Sequence, residues 1–346
     1  MILIEAYNIR SGGTVSLLNY LIRELSSFTN NFMVAIDERN DLIQCSEKFL
    51  IKHSFNKFNR SRILKKAINY CKPTTLFCFG NFPPTFKLKG IRVITLVHNM
   101  HLILPSFNRD IYSALQIIKL KLLKGYFQYC LSNSDIFIFQ TNFVKNTFLN
   151  TFINSQIVAL VIPFFNSTNR MELGLVQENA FIYVSSGEPH KNHLNLFKAW
   201  NILNENKYRP ILYTTLSDDQ FINIKSKFPK LNNIINLGFM NMTELHKRLN
   251  LIKYSIFPST LETIGLGLIE SINAKCKVIC SNLPFVEEVI CPSLSFDPYD
   301  SQDIADKALF ALTEELPESS VILQNKIEDL LELLLCELSQ NRIIED

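Results

Sequence analysis

Two carboxylates eight positions apart, in Phe257-Pro258-Ser259-Thr260-Leu261-Glu262-Thr263-Ile264-Gly265-Leu266-Gly267-Leu268-Ile269-Glu270-Ser271, have the spacing to grip a polyhydroxylated ligand. Glu262 falls in the loop after a predicted strand. Glu270 falls about two turns into the following helix, at ~3.6 residues per turn. That helix, 265–273, is otherwise nearly all apolar and is expected to be buried. A carboxylate inside such a helix costs free energy unless it is hydrogen-bonded. The two adjacent hydroxyls of a ribose would satisfy it, and so would donors from the protein itself. The start of the helix offers amides to a phosphate.

Three other segments carry reactive side chains. Ser185-Ser186-Gly187-Glu188-Pro189-His190-Lys191-Asn192-His193 follows a predicted strand, and Lys191 is placed to meet a diphosphate as a point charge, with Asn192 as a helix cap. Leu96-Val97-His98-Asn99-Met100-His101 sets His98 at the end of an apolar strand, where it can donate a hydrogen bond or act as acid or base, or serve only structure. His98 and His101 lack a nearby third ligand and make a poor zinc site. Arg10-Ser11-Gly12-Gly13-Thr14 follows the first strand and opens a helix, so its amides suit an anion or a plain cap; its spacing is not the dinucleotide fingerprint GxGxxG. Asp218-Asp219 opens a helix and reads as a cap rather than a metal-binding pair. No metal is therefore required by these residues.

The elements that must position these side chains alternate along the whole chain. Strands are expected at 2–7, 32–36, 75–79, 92–97, 136–140, 157–162, 181–185, 211–215, 234–237, 255–258 and 278–280. Helices are expected at 15–25, 60–70, 110–131, 143–150, 193–204, 219–228, 243–250, 265–273, 302–312 and 318–338. Strands alternating with helices imply parallel βαβ units, and two such series imply two Rossmann-like domains, with ligands outside the carboxyl ends of their strands. Glycine is scarce, 10 residues in 346, so its placement is informative: Gly12, Gly13, Gly80, Gly187, Gly238 and Gly265 all follow predicted strands. Glycine there permits positive φ and close approach of backbone to a ligand.

With 47% apolar and 19% charged residues, both domains can bury a core, which excludes a disordered chain. No apolar run long enough to span a bilayer is present, and MILIEAYNIRSGG reads as an opening strand rather than a signal peptide. The eight scattered cysteines read as reduced thiols of a cytosolic protein. A net charge of +3 conceals an asymmetry: residues 1–165 carry 19 Lys and Arg against 8 Asp and Glu, and residues 166–346 carry 16 against 24. The basic half suggests an anionic partner: a membrane surface, a nucleic acid or a phosphorylated acceptor.

The ordered set FIYVSSGEPHKNHLNLFKAW, INLGFM, FPSTLETIGLGLIESINA and VICSNLPFVEEV resembles the nucleotide-sugar domain of the retaining glycosyltransferases of family 4. Glu262 and Glu270 reproduce that family's E-x7-E motif. SGGTVSLLNYLIREL, FGNFPP, VITLVHNMHLI and IFIFQTNFVKNTF follow the family's order in the first half. The resemblance implies an α/β GT-B fold, with two Rossmann-like domains whose parallel sheets face a central cleft. Residues 1–165 would form the acceptor-binding domain and 166–325 the nucleotide-sugar domain, with a C-terminal helix, about 325–346, packing back on the first. It implies that Glu270 binds the donor ribose, that Glu262 contacts the transferred sugar, and that amides around Ile264, Gly265 and Leu266 hold sugar and diphosphate. Lys191 would neutralise the leaving diphosphate, Gly238 and Phe239 would border the base, Gly12 and Gly13 would approach the diphosphate and acceptor, and His98 would lie beside the donor sugar. Two departures stand out. Ser185-Ser186-Gly187-Glu188 lacks the Arg that many members carry before the motif Lys, and Ala274-Lys275-Cys276-Lys277 lacks the usual Gly.

The implied reaction moves a hexose from a UDP- or GDP-sugar, with retention, to an acceptor hydroxyl. No metal and no other cofactor is required, and no protein nucleophile is expected. Lys52–Lys72 and the basic amphipathic pattern Ile117–Lys124 suit an anionic membrane surface or a solvated face. An acceptor glycan on undecaprenyl diphosphate would explain the charge split, placing the chain in bacterial lipopolysaccharide O-antigen or capsule synthesis as a peripheral protein on the inner face of the cytoplasmic membrane. Nucleic-acid binding is disfavoured, since no known binding motif accompanies the basic residues. A nucleotide-sugar epimerase or hydrolase, and a non-catalytic GT-B-like binding subunit, are the competing readings, because the frame does not fix the function.

Overall fold

The structure, a computed structural model, describes residues 1–10, 12–56, 58–152, 157–167, 176–205 and 208–336. The chain folds into two units: Met1–Asn166 together with the segment from Gln324 onward, and Ser167–Leu323.

The first unit is built from β1 (Ile2–Glu5), α1 (Gly13–Phe28), β2 (Phe32–Asp37), β3 (Leu50–His53), α2 (Arg60–Cys71), β4 (Thr75–Cys78), β5 (Arg92–Leu96), α3 (Ala114–Cys130), β6 (Ile136–Phe139), α4 (Asn142–Thr151) and β7 (Val158–Val161). Its seven strands are all parallel, in the order β3-β2-β1-β4-β5-β6-β7. Such a sheet must be covered on both faces, and the sequence supplies both. Ile2, Ile4, Val34, Ile36 and Phe77 pack on α1 through Leu18, Leu21 and Leu25, while Leu3, Ala35, Leu76 and Val93 pack on α2 through Leu64, Ala67 and Ile68. The alternation in Ile2-Leu3-Ile4 is the two-residue period of a strand buried on both sides.

The second unit comprises β8 (Gln177–Tyr183), α5 (His193–Leu203), β9 (Ile211–Thr214), α6 (Asp218–Lys225), β10 (Ile234–Asn236), α7 (Met242–Leu249), β11 (Ile252–Phe257), α8 (Leu266–Asn273), β12 (Lys277–Ser281), α9 (Pro284–Glu287), β13 (Ile290–Cys291), β14 (Leu294–Phe296), α10 (Ser301–Thr313) and β15 (Ser320–Val321). Six strands form a parallel sheet in the order β10-β9-β8-β11-β12-β14, and β13 pairs antiparallel with β15. Helix starts follow the sequence closely. Ser217 with Gln220, and Asn241 with Glu244, form reciprocal capping boxes at α6 and α7. The cap of α6 is thus Ser217, with Asp218 and Asp219 in its first turn.

A last helix, α11 (Ile327–Leu335), belongs to the first unit. Its Ile327, Leu330, Leu331 and Leu334 join the core formed by α1 and the sheet. Arg92 ties it down by donating to Cys336 O at 2.8 Å. Several expectations change, the short α9 and β13 among them. Strand β3 was not anticipated because it is a short edge strand with only partly buried side chains. Strand β14, of three residues, was missed for its brevity. The helix expected over 318–338 begins only at Ile327. Ser320 and Val321 pair with β13 instead, and the Ser319 hydroxyl accepts from the Val278 and Ser293 amides at 2.8 and 3.0 Å. Residues 337 and 338 of that expected helix, and the part of the expected C-terminal helix (about 325–346) beyond them, lie outside the described residues, as do Ser11 and Lys57. Among the described residues no helix is long and apolar enough to cross a membrane.

Candidate functional site

In the second unit the carboxyl ends of β8 and β11 present Lys191 and Glu262 to each other. Lys191 Nζ donates to Glu262 Oε1 at 2.6 Å, with the side chains only 17% and 11% exposed. Sequence reading gave these residues separate tasks; the fold also makes them partners, 71 positions apart. A web of bonds holds the two loops in place. The Tyr183 hydroxyl, at the end of β8, donates to Lys191 O at 2.9 Å and lies 2.8 Å from the Ser259 hydroxyl. Thr260 N donates to His190 O at 2.8 Å. Asn192 takes a left-handed backbone (φ 60°) and donates from Nδ2 to Pro258 O at 3.1 Å and Pro298 O at 2.6 Å. Its side chain therefore does not cap α5, contrary to expectation. It is drawn instead to carbonyls that follow β11 and β14. Burial pushes the His193 imidazole down to about 4, so it is neutral, and its Nε2 lies 2.8 Å from Ser185 Oγ. Tyr183, Ser259 and Asn192 are the supports that sequence reasoning missed as site residues. A hydroxyl at a strand end carries no spacing signal.

Helix α8 begins where expected. Gly265, at φ +66°, is its N-cap, and a Cβ there would meet Leu268 Cδ1 at 3.0 Å. A Cβ on Gly267 would meet the Phe257 ring at 3.2 Å, so the first turn lies close on β11. Ile264 is buried, and Leu266 is the first helical residue. Glu270 projects from this helix with no bond to its carboxyl group among the described residues, and burial pushes it up to about 7. Its neighbour Ser271 is satisfied by Ser255 Oγ and Gly267 O, at 2.8 and 2.7 Å. The missing glycine after the helix is replaced in function by Lys275. It adopts φ 66°, while Cys276 N donates to Ser271 O at 2.9 Å to close the helix end. Gly238 (φ +68°) and the largely exposed Phe239 follow β10, across β9 from β8 in the same sheet.

The remaining expected residues lie in the first unit, at the carboxyl ends of its strands. Gly12 (φ +68°) is the N-cap of α1, and Gly13 is the helix's first residue. His98, after β5, donates its amide to Asn81 Oδ1 at 2.7 Å, and its ring meets Phe79 edge-on at 5.6 Å. Burial pushes its imidazole down to about 4; Nδ1 is buried without a partner among the described residues. Asn8 Nδ2 donates to Gly80 O at 2.8 Å, and a Cβ on Gly80 would overlap the end of the Asn8 side chain, so a larger residue there would displace Asn8.

Residues 166–329 match the family model described as "Glycosyl transferases group 1". This segment is a glycosyl transferases group 1 domain. Relatives of this chain by sequence include the serotype-specific mannosyltransferase WbdA of Escherichia coli, 30% identical over 136 residues, which are 37% of this chain and 17% of that protein. Another is the O-antigen chain mannosyltransferase B of Escherichia coli, 26% identical over 140 residues, 39% of this chain and 37% of that protein. The chain thus spans less than two-fifths of the length of these relatives. Among solved structures, WaaG, a glycosyltransferase involved in lipopolysaccharide biosynthesis, aligns over 97% of this chain and 100% of its own at TM-score 0.69 and 13% identity. Sucrose-phosphate synthase from Thermosynechococcus elongatus aligns over 90% of each chain at TM-score 0.71 and 13% identity. The chain with its glycosyl transferases group 1 domain has the GT-B fold.

Proposed function

We propose that the protein is a retaining glycosyltransferase that moves a hexose from a UDP- or GDP-sugar to a glycan acceptor carried on undecaprenyl diphosphate, in bacterial O-antigen or capsule synthesis.

The transferred sugar forms its new C1–O bond to the acceptor hydroxyl on the face from which the diphosphate leaves. The departing phosphate oxygen takes the acceptor's proton, so no protein nucleophile is used. Lys191 would leave Glu262 to meet the developing negative charge on the diphosphate, and the freed Glu262 would accept hydrogen bonds from the sugar. Amides at Ile264–Leu266 add to the charge stabilisation at the opening of α8. Glu270 would accept from the ribose hydroxyls, and Phe239 would stack on the base beside Gly238. His98, neutral at pH 7, offers hydrogen bonds without charge. This scheme uses no metal. The observation that carries the reading is the Lys191–Glu262 pair beside α8 and its unbonded Glu270. The relatives' names favour mannose as the hexose.

A membrane-bound acceptor is supported by α3. Leu115, Ile118, Leu122, Tyr126 and Tyr129 are all exposed and recur at helical spacing along one stripe, with Lys119 and Lys121 at its edges. An apolar stripe bordered by lysines matches an anionic bilayer, and the reading places the protein on the inner face of the cytoplasmic membrane. Two measurements test the proposal. Thermal shifts with UDP, GDP, dTDP and their sugars are expected to select one nucleotide, and transfer from that donor should be absent without acceptor; turnover of donor alone would indicate an epimerase or hydrolase. Sedimentation with phosphatidylglycerol vesicles should retain the protein, and Leu122→Asp should release it without lowering Tm. Failure of the unsubstituted protein to sediment with the vesicles would remove the membrane from the reading, and equal retention of both proteins would remove α3 as the contact.

A further inference from the structure

The first unit carries a charged constellation that the site above does not use. Asp37, the last residue of β2, is fully buried and held by two arginines. Arg39 grips it with two bonds, Nε to Oδ1 at 2.8 Å and Nη2 to Oδ2 at 2.6 Å, and Nη2 also donates to Phe55 O at 2.8 Å. Arg10 Nη2 donates to the same Oδ2 at 2.8 Å. One guanidinium balances one carboxylate, so the cluster holds a positive charge in excess. That charge faces solvent: the two arginine side chains are 54% and 58% exposed, the Asp37 side chain 1%. Glu38, on the same turn, is itself exposed and forms an ion pair with neither arginine. Most N–H donors of Arg10 have no acceptor among the described residues.

Position and rigidity separate this cluster from an ordinary surface pair. It stands at the carboxyl ends of β1 and β2, beside the point where the strand order turns from β2 to β4 around β1. Open α/β sheets bind their ligands at such places. Asn40, itself buried, donates from Nδ2 to Ile9 O at 2.6 Å and so joins the Arg10 segment to the Arg39 turn. Arg10 lies two residues before Gly12, where no side chain caps the 16-residue α1. Beneath it, Tyr7 is fully buried with its hydroxyl unpartnered among the described residues, its ring stacked at 5.9 Å on Phe55, whose carbonyl holds Arg39. Two guanidiniums fixed by one buried anchor present the forked donors that suit phosphate oxygens.

We propose that Arg10 and Arg39, anchored on Asp37, form the subsite for a phosphate group of the acceptor. This rests on the glycosyltransferase reading and adds to it the group by which the acceptor is recognised. The donor's diphosphate is assigned to Lys191 and the start of α8 in the other unit, which leaves the arginine pair to a phosphate of the acceptor.

The test compares two acceptors with the same sugar, one joined to an octyl chain through a diphosphate and one as the plain octyl glycoside. Arg10→Gln is the primary variant, because it leaves Asp37 its two bonds from Arg39; Arg39→Lys is the second. The unsubstituted protein should prefer the diphosphate acceptor, and Arg10→Gln should reduce that preference about tenfold, the scale of one charge-assisted hydrogen bond, through KM for the diphosphate acceptor. An equal loss on both acceptors, an unchanged preference, or a rise in KM for the nucleotide sugar instead would overturn the subsite. Calorimetry with octyl diphosphate reads the subsite without turnover. Binding that weakens in Arg10→Gln supports it even if no sugar is transferred, which would count against the transferase reading alone; equal binding by both proteins overturns the subsite.

Discussion

Lys191 and Glu262 neutralise each other inside a nearly closed contact, so removing one leaves the other's charge poorly compensated. Such a break is costly, on the order of 3–5 kcal/mol for a fully buried pair and less here because both side chains retain some exposure. Lys191→Met should therefore lower Tm. Adding Glu262→Gln should recover most of that loss but no transfer activity, a double-mutant cycle that separates folding from chemistry. Recovery of transfer in the double variant would sink the assigned roles. Glu270 gives a pH test. Its carboxyl, ordinarily at 4.5, is raised by burial to about 7 in the folded chain. The folded state therefore holds the proton more tightly than the unfolded state, and stability falls as pH rises from about 4.5 to 7. Glu270→Gln should remove this loss, so its Tm relative to the parent should be higher at pH 8 than at pH 4.5. The same variant should weaken the thermal shift given by the donor nucleotide. A Tm difference that does not change with pH would contradict the burial of this group.

At the scale of elements, the loops after β8, β11 and β14 form one assembly because Asn192 reaches two of them. Its left-handed backbone is tolerable for asparagine, and its amide satisfies carbonyls after β11 and β14. Asn192→Ala loses both bonds and strains the backbone, and should cost about 1–3 kcal/mol. Asn192→Gly keeps the backbone freedom and should cost less. Denaturant unfolding checks the order, and both variants should raise KM for the donor by loosening Lys191. An Asn192→Gly variant less stable than Asn192→Ala would refute this account of the turn. The amphipathic pattern of 117–124 illustrates what an element can hide. The sequence shows apolar and basic residues together, and the fold decides that Phe127 and Cys130 face inward while Leu115, Ile118 and Leu122 do not.

For the whole molecule, the return of α11 to the first unit makes the chain's last described helix part of its first core. Ile327, Leu330, Leu331 and Leu334 are buried there, each side chain contributing ~1.5–3 kcal/mol when fully buried. Their sum is comparable with the ~5–15 kcal/mol that stabilises a typical domain. A chain ending at Leu323 should therefore lose cooperative unfolding of the first unit, seen by calorimetry, and aggregate through the uncovered α1 face. Retention of a parent-like transition would show that α11 is dispensable.

Local pattern alone disclosed the alternation of strands and helices, the glycines at strand ends, the opening of α8 and the Glu262–Glu270 spacing. Each depends on residues close in sequence: the strand's two-residue period, the helix's turn, and glycine's access to positive φ. Edge strands such as β3 escaped because a half-buried strand of four residues leaves little period to read. The 318–338 segment misled because an apolar helical pattern extends no information about where pairing with β13 ends it. Tertiary structure alone decided the partners. Lys191 meets Glu262, Arg10 and Arg39 share Asp37, Asn192 turns from its helix to Pro258 and Pro298, and α11 joins α1. Sequence periodicity fixes which face of an element is buried, but strand order and crossover determine what that face meets.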